Sequence, residues 1–322
     1  KLVAAGGAIL VAVLAACATD STRECRVGAD CASGVCGPDG QCIAPGDVPG
    51  VDAAGADAST TGDGATPPND AGGDSALPGC TPNKDGTITR DEVPIAAGLH
   101  ATYKIGTNED VSTAGTPGTN GRRNWDFSGA LASDASVIVE TQPLKGKWYE
   151  TKFAGATYAS KLSQGSDLLG VFETSPGALL LRGVVSPTET AKTELTYTPG
   201  VSVLNFPLKL GSMWTTASKV AGTYQYLGTT QTTATPYDEK YESKVSAAGE
   251  LKTPLGTFEV LRVQVLLTRT IATLVFPFST TTTVRTFAFV TECYGTIATV
   301  TSADNETNEE FTRAAEIRRI AP

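Results

Sequence analysis

The sequence predicts an all-β protein whose packed part is a single antiparallel domain of about twelve strands. From residue 101 onwards apolar and polar residues alternate with a period of two, the pattern of strands with one buried face. Turn signals recur every 8–14 residues without a long crossover, which favours antiparallel neighbours. All 22 aromatic residues lie at or beyond Tyr103, so the large side chains that a core needs are confined to this part of the chain.

The alternation also predicts individual strands. Residues 148–153 and 156–162 are expected to pair as a hairpin around a two-residue turn. The strongest strand is predicted over 257–271, with Leu261 on one face and Arg262 on the other. Strands of this number and length leave three architectures open: a large curved sheet, a half-barrel or a sandwich.

Composition divides the rest of the chain into short segments that precede this domain. Residues 1–80 carry ten acidic and three basic residues and no aromatic ring, so they cannot form a core unaided. The predicted segments are a signal peptide (1–16), a lipidated N-terminus (17–24), a cysteine-rich module (25–42), a Gly/Ala/Asp/Pro linker (43–79), a loop segment (80–99) and the β domain (100–322).

The first segment is an uncharged apolar run that ends Leu14-Ala15-Ala16-Cys17. It is shorter than the roughly 20 residues that span a bilayer, and it has the length of a signal-peptide core. The ending resembles the lipobox of bacterial lipoproteins, which implies acylation of Cys17 and attachment to a membrane through the acyl chains. Because Asp does not follow the cysteine, the resemblance implies export to the outer membrane, on its periplasmic or its surface side. The alternative is a buried helix with an incidental cysteine.

The second segment holds four closely spaced cysteines, Cys25, Cys31, Cys36 and Cys42. In an exported protein such a set predicts two disulfides, and the other possibility is a zinc site. The interlaced pairing Cys25–Cys36 and Cys31–Cys42 is favoured because it holds a module without a core better than two separate loops. The stretch resembles the cysteine-rich segment of Dickkopf N-terminal domains, which implies disulfide bonding. The following linker, 43–79, is expected to be a solvated spacer.

Residues 81–92 have the spacing of an EF-hand-like calcium loop. Oxygen ligands are expected at loop positions 3, 5, 7, 9 and 12, which are Asn83, Asp85, Thr87, Thr89 and Glu92. The first ligand position is threonine where such loops carry aspartate, and no flanking helices are predicted. The loop therefore predicts either a calcium site or an Asx-type turn without a cofactor.

Two cysteines remain outside the cysteine-rich module. Cys293 follows the strand that carries Phe287 and Phe289, and its side chain is expected to point inward with theirs. Cys80 is its only available partner, so a Cys80–Cys293 disulfide is predicted, with two free thiols as the alternative.

Three stretches of the β domain, NWDFSGAL (124–131), LNFPLKLGSMW (204–214) and GELKTPLGTFEVLRVQV (249–265), resemble a set of uncharacterised secreted or lipid-anchored bacterial β-domain proteins. The whole layout resembles lipoproteins of the kind abundant in myxobacteria. The resemblance implies a fold and an envelope location, and it brings no catalytic residue.

Charge and composition exclude several classes of function. Residues 81–322 are nearly neutral, with 24 acidic and 22 basic residues, so they offer no basic surface for nucleic acid. The single histidine, His100, excludes sites that need two histidines, and the serine-hydrolase motif GxSxG is absent from the sequence. A hydrolase that uses two convergent carboxylates stays open, and the candidate acids are Glu140, Glu150, Asp167, Glu173, Glu194, Asp238, Glu239 and Glu242.

Three functions follow from this reading, in order of preference. The first is a lipid-anchored envelope protein whose non-catalytic β domain binds a protein or has a structural role. The second is an envelope carrier that holds a lipid or another apolar ligand in a half-barrel. The third is a carboxylate-dependent secreted hydrolase.

Overall fold

The computed structural model describes residues 80–189, 193–226, 229–232, 236–272 and 279–322. These residues form seventeen strands and three single turns of 3₁₀ helix at Arg90–Glu92, Thr119–Gly121 and Glu150–Lys152. The strands are β1 (Thr87–Ile88), β2 (His100–Asp110), β3 (Thr116–Pro117), β4 (Arg123–Asp126), β5 (Ala135–Gln142), β6 (Tyr158–Ser163), β7 (Ser166–Thr174), β8 (Ala178–Val185), β9 (Glu194–Asn205), β10 (Leu208–Lys209), β11 (Met213–Tyr226), β12 (Thr229–Thr232), β13 (Tyr237–Lys252), β14 (Thr257–Ala272), β15 (Ser279–Thr291), β16 (Gly295–Thr301) and β17 (Arg313–Ile320).

Twelve of these strands form a closed antiparallel barrel. Their order around the ring is β11, β9, β8, β7, β6, β5, β2, β17, β16, β15, β14 and β13, and the pairing of β13 with β11 closes it. The all-β class, the antiparallel pairing and the number of strands are therefore confirmed. The sequence left a curved sheet, a half-barrel and a sandwich open, and it did not predict the closure.

The inner face of the barrel is identified by contacts between strands that are not neighbours in the ring. Tyr158 of β6 and Leu179 of β8 pack with Val263 of β14 and Val290 of β15. Side chains from these opposite walls can meet only across the interior. The predicted alternation of strand 257–271 is confirmed, because Leu261 lies in this inner cluster whereas Arg262 lies over Phe287 on the outer face.

One end of the barrel is closed by the segment that precedes β2. Ile88, Val93 and Ile95 insert their side chains into the inner apolar cluster, and β1 pairs with β10. The Cys80–Cys293 disulfide fixes this segment to the end of β15, with 5.5 Å between the two Cα atoms, and the predicted bridge is confirmed. We refer to this end as the closed end and to the opposite end as the mouth.

Residues 111–131 cover the outer face of β13–β17. Trp125 and Phe127 pack edge-on against Phe289, with ring centroids 5.1 and 5.4 Å apart. The prediction that Phe287 and Phe289 face the interior was wrong. They belong to a second core between the barrel wall and this covering segment, and both are fully buried there.

Residues 143–157 cover the outer face of β6–β8 in the same way. Tyr149 and Phe153 pack against Val171 of β7. Gly183 of β8 makes this contact possible, because a Cβ atom there would lie 2.1 Å from the Phe153 ring. The predicted hairpin of 148–153 with 156–162 was wrong: the first stretch contains a 3₁₀ turn at Glu150–Lys152, and its aromatic residues serve the packing of this cover rather than a strand.

Candidate ligand-binding site inside the barrel

Beyond the closed end, the apolar side chains on the inner face are not fully buried. At the closed end Val245 and Val263 have no exposed surface. Toward the mouth, inward-facing side chains from opposite walls remain half-buried: Leu168 and Phe172 of β7, Leu195 of β9, Trp214 of β11, Val265 and Leu267 of β14, and Val284 of β15. We call the space that they line the lumen. An interior filled to native packing density would bury these side chains, so their exposed surface is open to water or to a ligand.

The hairpin between β6 and β7 reaches across the lumen. Strands β5 and β6 pair only at Thr141 and Gln142, so the hairpin can bend away from β5. At its tip, Gln164 N donates to Glu316 on β17 at 2.9 Å, and the carbonyl of Leu162 accepts from Arg318. The Leu162 side chain, which lies against Gly170 on the inner face, is 38% exposed. The hairpin thus adds an apolar side chain to the lumen wall at the mouth.

A polar group lies on the inner face near the mouth, beyond the apolar part of the lumen. Glu239 of β13 pairs with Arg269 of β14, and its Oε1 accepts from Arg269 Nε at 2.7 Å. Its Oε2 accepts from the hydroxyl of Tyr241 at 2.5 Å. The Glu239 side chain is completely buried, whereas the Arg269 side chain is 40% exposed.

Two further tyrosines complete this polar group. Tyr197 of β9 and Tyr237 of β13 are on the inner face, and the Arg269 guanidinium lies 5.8 Å from the centre of the Tyr237 ring. Burial raises the pKa of Tyr237 to about 12, with the negative charge of Glu239 as a second cause. Burial also raises the pKa of Tyr197 and of Tyr241, so all three phenols are neutral hydrogen-bond donors over the physiological range.

Glu239 is the one carboxylate that acts on the pKa values of this polar group among the described residues. The groups that shift these pKa values electrostatically are Arg269, Glu239 and the tyrosines themselves, and no second carboxylate of the described residues is among them. Glycoside hydrolysis by two carboxylates needs a second acid within about 5–10 Å in a cleft. Glu239 also accepts a hydrogen bond on each oxygen, so its carboxylate is occupied.

The five residues of the predicted calcium loop are brought together in a closed turn. Asn83 Nδ2 donates to Glu92 Oε1 at 2.6 Å, and the Thr89 amide and hydroxyl both donate to Glu92 Oε2 at 2.8 Å. Asp85 Oδ1 accepts from the amide of Thr87 at 2.7 Å. Within the described part of the chain, no three His, Cys, Asp or Glu side chains are grouped as a metal would need. The geometry is that of an Asx turn followed by a capping box, and calcium binding remains a prediction.

Other predicted site residues lie elsewhere or outside the described residues. His100 begins β2, has an exposed side chain and is opposite Glu140 in the sheet. The lipidation cysteine, Cys17, and the module with Cys25, Cys31, Cys36 and Cys42 fall in residues 1–79, which the structure does not describe. None of the described helices has the length and apolarity to cross a membrane.

Sequence reasoning missed the polar group as a site. It named Glu239 only as one of several candidate acids, and it did not single out Arg269 or Tyr241. One signal was available: Arg269 continues the inward series Leu261, Val263, Val265, Leu267 at the same spacing of two. A charged residue on the apolar face of a strand indicates a partner or a function.

Comparisons of the chain with protein-family models, with curated proteins and with solved structures gave no match. The fold and the candidate site therefore rest on the residues and geometry of this chain.

Proposed function

We propose that the β domain is a non-catalytic binding module that takes an apolar ligand into the lumen of its barrel. The observation that carries this proposal is the half-buried state of inward-facing apolar side chains on opposite walls, such as Phe172, Val265 and Leu267. Apolar surface that stays accessible inside a barrel is stabilised when a ligand covers it, by about 25 cal/mol per Å². Pockets for small ligands have this character: concave, mainly apolar, with a few polar groups.

The closed end supports the same function. The segment with Ile88, Val93 and Ile95 fills that end, and the Cys80–Cys293 bridge holds it there. A ligand would therefore enter at the mouth. The outer faces of β13–β17 and β6–β8 are covered by other parts of the chain.

The proposal is tested with a neutral fluorescent probe, N-phenyl-1-naphthylamine, on the full chain. Leu267→Trp adds volume inside the lumen and is expected to weaken probe binding about tenfold, since roughly 1–3 kcal/mol is typical for overpacking. Leu266→Trp is the matched control, because Leu266 is the neighbouring leucine on the outer face of β14. Both variants keep the apolar run 2–16, so binding of the probe to that segment cancels in the comparison. Equal affinity of the two variants would contradict a site in the lumen.

We also propose that the chain is an exported lipoprotein, anchored through Cys17 in the outer membrane, with residues 43–79 as its spacer. The Leu-Ala-Ala-Cys ending of the N-terminal apolar run supports this proposal. Two or three acyl chains give stable anchoring, since each buried methylene contributes about 0.8 kcal/mol. Cells expressing the chain would incorporate labelled palmitate into the wild type and Cys31→Ser but not into Cys17→Ser. Labelling of Cys17→Ser would contradict the proposal.

A further inference from the structure

We propose that the ligand is an anionic amphiphile, and that Arg269 receives its charged head group. This inference rests on the proposed function, because it assigns the polar end of a ligand whose apolar end occupies the lumen. The site would take a carboxylate or a monoester phosphate at the mouth, with the apolar end of the ligand directed toward the closed end.

Arg269 continues the apolar wall of the lumen toward the mouth. It lies two residues beyond Leu267 and four beyond Val265 on the inward face of β14. An extended strand rises about 3.3 Å per residue, so the guanidinium follows directly on the apolar wall. A ligand that covers Val265 and Leu267 would bring its head group to Arg269.

Part of the Arg269 guanidinium remains available to a ligand. Its Nε donates to Glu239 at 2.7 Å, and the described residues provide no hydrogen-bond partner for its two Nη atoms. The side chain is 40% exposed although it lies on the inner face of the barrel. The free edge of a guanidinium presents parallel donors that match the two oxygens of a carboxylate or phosphate.

A ligand at this point would meet positive charge rather than negative charge. Glu239 is fully buried, and each of its oxygens already accepts a hydrogen bond, from Arg269 and from Tyr241. A cationic ligand therefore has no carboxylate to contact at this point. Across the mouth, Glu316 is engaged by Arg318 at 2.7 Å and by the amide of Gln164 at 2.9 Å. The Nη donors of Arg269 have no partner among the described residues, which favours an acceptor that carries negative charge.

The test compares ligands of equal chain length by displacement of N-phenyl-1-naphthylamine from the full chain. Dodecanoate and dodecyl phosphate are the anionic arms, and dodecanol is the neutral arm. At least one anionic ligand is expected to displace the probe at about tenfold lower concentration than dodecanol. A roughly tenfold ratio in affinity corresponds to the free energy of one charge-assisted hydrogen bond. Equal displacement by dodecanol would overturn the anionic head group and leave the apolar lumen intact. Failure of the probe to bind in the lumen would overturn the proposed function itself.

Two double variants test whether Arg269 causes the preference for anionic ligands over dodecanol. The double substitution Arg269→Gln, Glu239→Gln removes both charges without leaving a buried carboxylate unpaired, and it is expected to abolish the preference. The matched control is Lys240→Gln, Glu242→Gln, an ion pair of 2.9 Å on the exposed outer face of β13, which is expected to keep it. Persistence of the preference in the Arg269→Gln, Glu239→Gln protein would overturn the assignment.

A measurement on the wild type covers the case in which the double variant does not fold. Raising the ionic strength from about 0.05 M to about 0.5 M shortens the Debye length and is expected to weaken dodecanoate binding severalfold. Dodecanol binding is expected to stay unchanged or to strengthen slightly. A salt-independent dodecanoate affinity would overturn the proposal.

Discussion

Glu239 and Arg269 form an asymmetric ion pair inside the barrel. The Glu239 side chain is completely buried, whereas the Arg269 side chain is 40% exposed. The distance between Arg269 Nε and Glu239 Oε1 is 2.7 Å. Only the arginine is accessible to another molecule. The carboxylate orients the arginine through Nε, and Tyr241 holds the carboxylate in turn.

This asymmetry predicts unequal effects of removing either partner. Arg269→Ala leaves a buried carboxylate without its cation and is expected to lower the free energy of unfolding by about 3 kcal/mol. Glu239→Ala leaves an arginine that can reach water, and a loss of about 1–2 kcal/mol is expected. Urea unfolding of both variants measures the difference, and equal losses would argue against the asymmetry.

Tyr103 predicts a loss of stability at alkaline pH. Its hydroxyl donates to the Thr296 carbonyl at 2.8 Å, and burial raises its pKa to about 12, opposed by the charge of Arg318. Because the pKa in the folded state lies above the unfolded value of about 10, the contribution is complete below pH 10 and is lost as the pH rises toward 12. At about pH 11 the loss is expected to be about 1 kcal/mol. Guanidinium unfolding from pH 8 to 11 should show a steeper loss of stability in the wild type than in Tyr103→Phe, and the difference isolates Tyr103 from Tyr197, Tyr237 and Tyr241, whose pKa values are also raised.

The Cys80–Cys293 disulfide is expected to stabilise the barrel mainly by restricting the unfolded chain. It joins residues 213 positions apart and fixes the segment that fills the closed end. The double substitution Cys80→Ala, Cys293→Ala is expected to lower the free energy of unfolding by about 2–4 kcal/mol. Unchanged stability under oxidising conditions would show that the segment at the closed end stays in place without the bridge.

Arg262 organises the core between the barrel and residues 111–131. It contacts both oxygens of Glu310 at 2.7 and 2.9 Å, the Thr113 carbonyl at 2.6 Å and Ser246 at 3.0 Å, and its side chain is 6% exposed. Arg262→Met is expected to lower the free energy of unfolding by about 2 kcal/mol. The control is Arg313→Met, which removes an exposed ion pair with Asp110 and is expected to cost at most about 0.5 kcal/mol. Similar values for the two would contradict this role of Arg262.

The sequence predicts the strands of this fold better than their closure. Alternation around Leu261 and Arg262 is visible because one face of β14 meets the interior and the other meets charged partners. Closure depends on the pairing of β13 with β11, and no local pattern encodes it. Phe287 and Phe289 were assigned to the interior because they are large and apolar. They lie on the outer wall instead, where the covering segment with Trp125 forms a second apolar core.

The candidate site was harder to predict because its residues come together only when the barrel closes. The Cys80–Cys293 bridge followed from cysteine number, because Cys80 was the only cysteine left for Cys293 outside the cysteine-rich module. The polar group at the mouth joins residues 197 and 269 from strands β9 and β14, which meet only because the ring closes. Pairwise spacing along the chain carries no information on such a contact.

Quenching of Trp214 tests most directly whether a ligand occupies the lumen. Trp214 faces the interior, half-buried, with Nε1 donating to the Ser202 carbonyl at 2.9 Å, whereas Trp125 and Trp148 lie outside the barrel wall. Dodecanoate brominated at the end of its chain should quench the fluorescence that is lost in Trp214→Phe and spare the remainder. Saturable binding that quenches only Trp125 or Trp148 would contradict a ligand site inside the barrel.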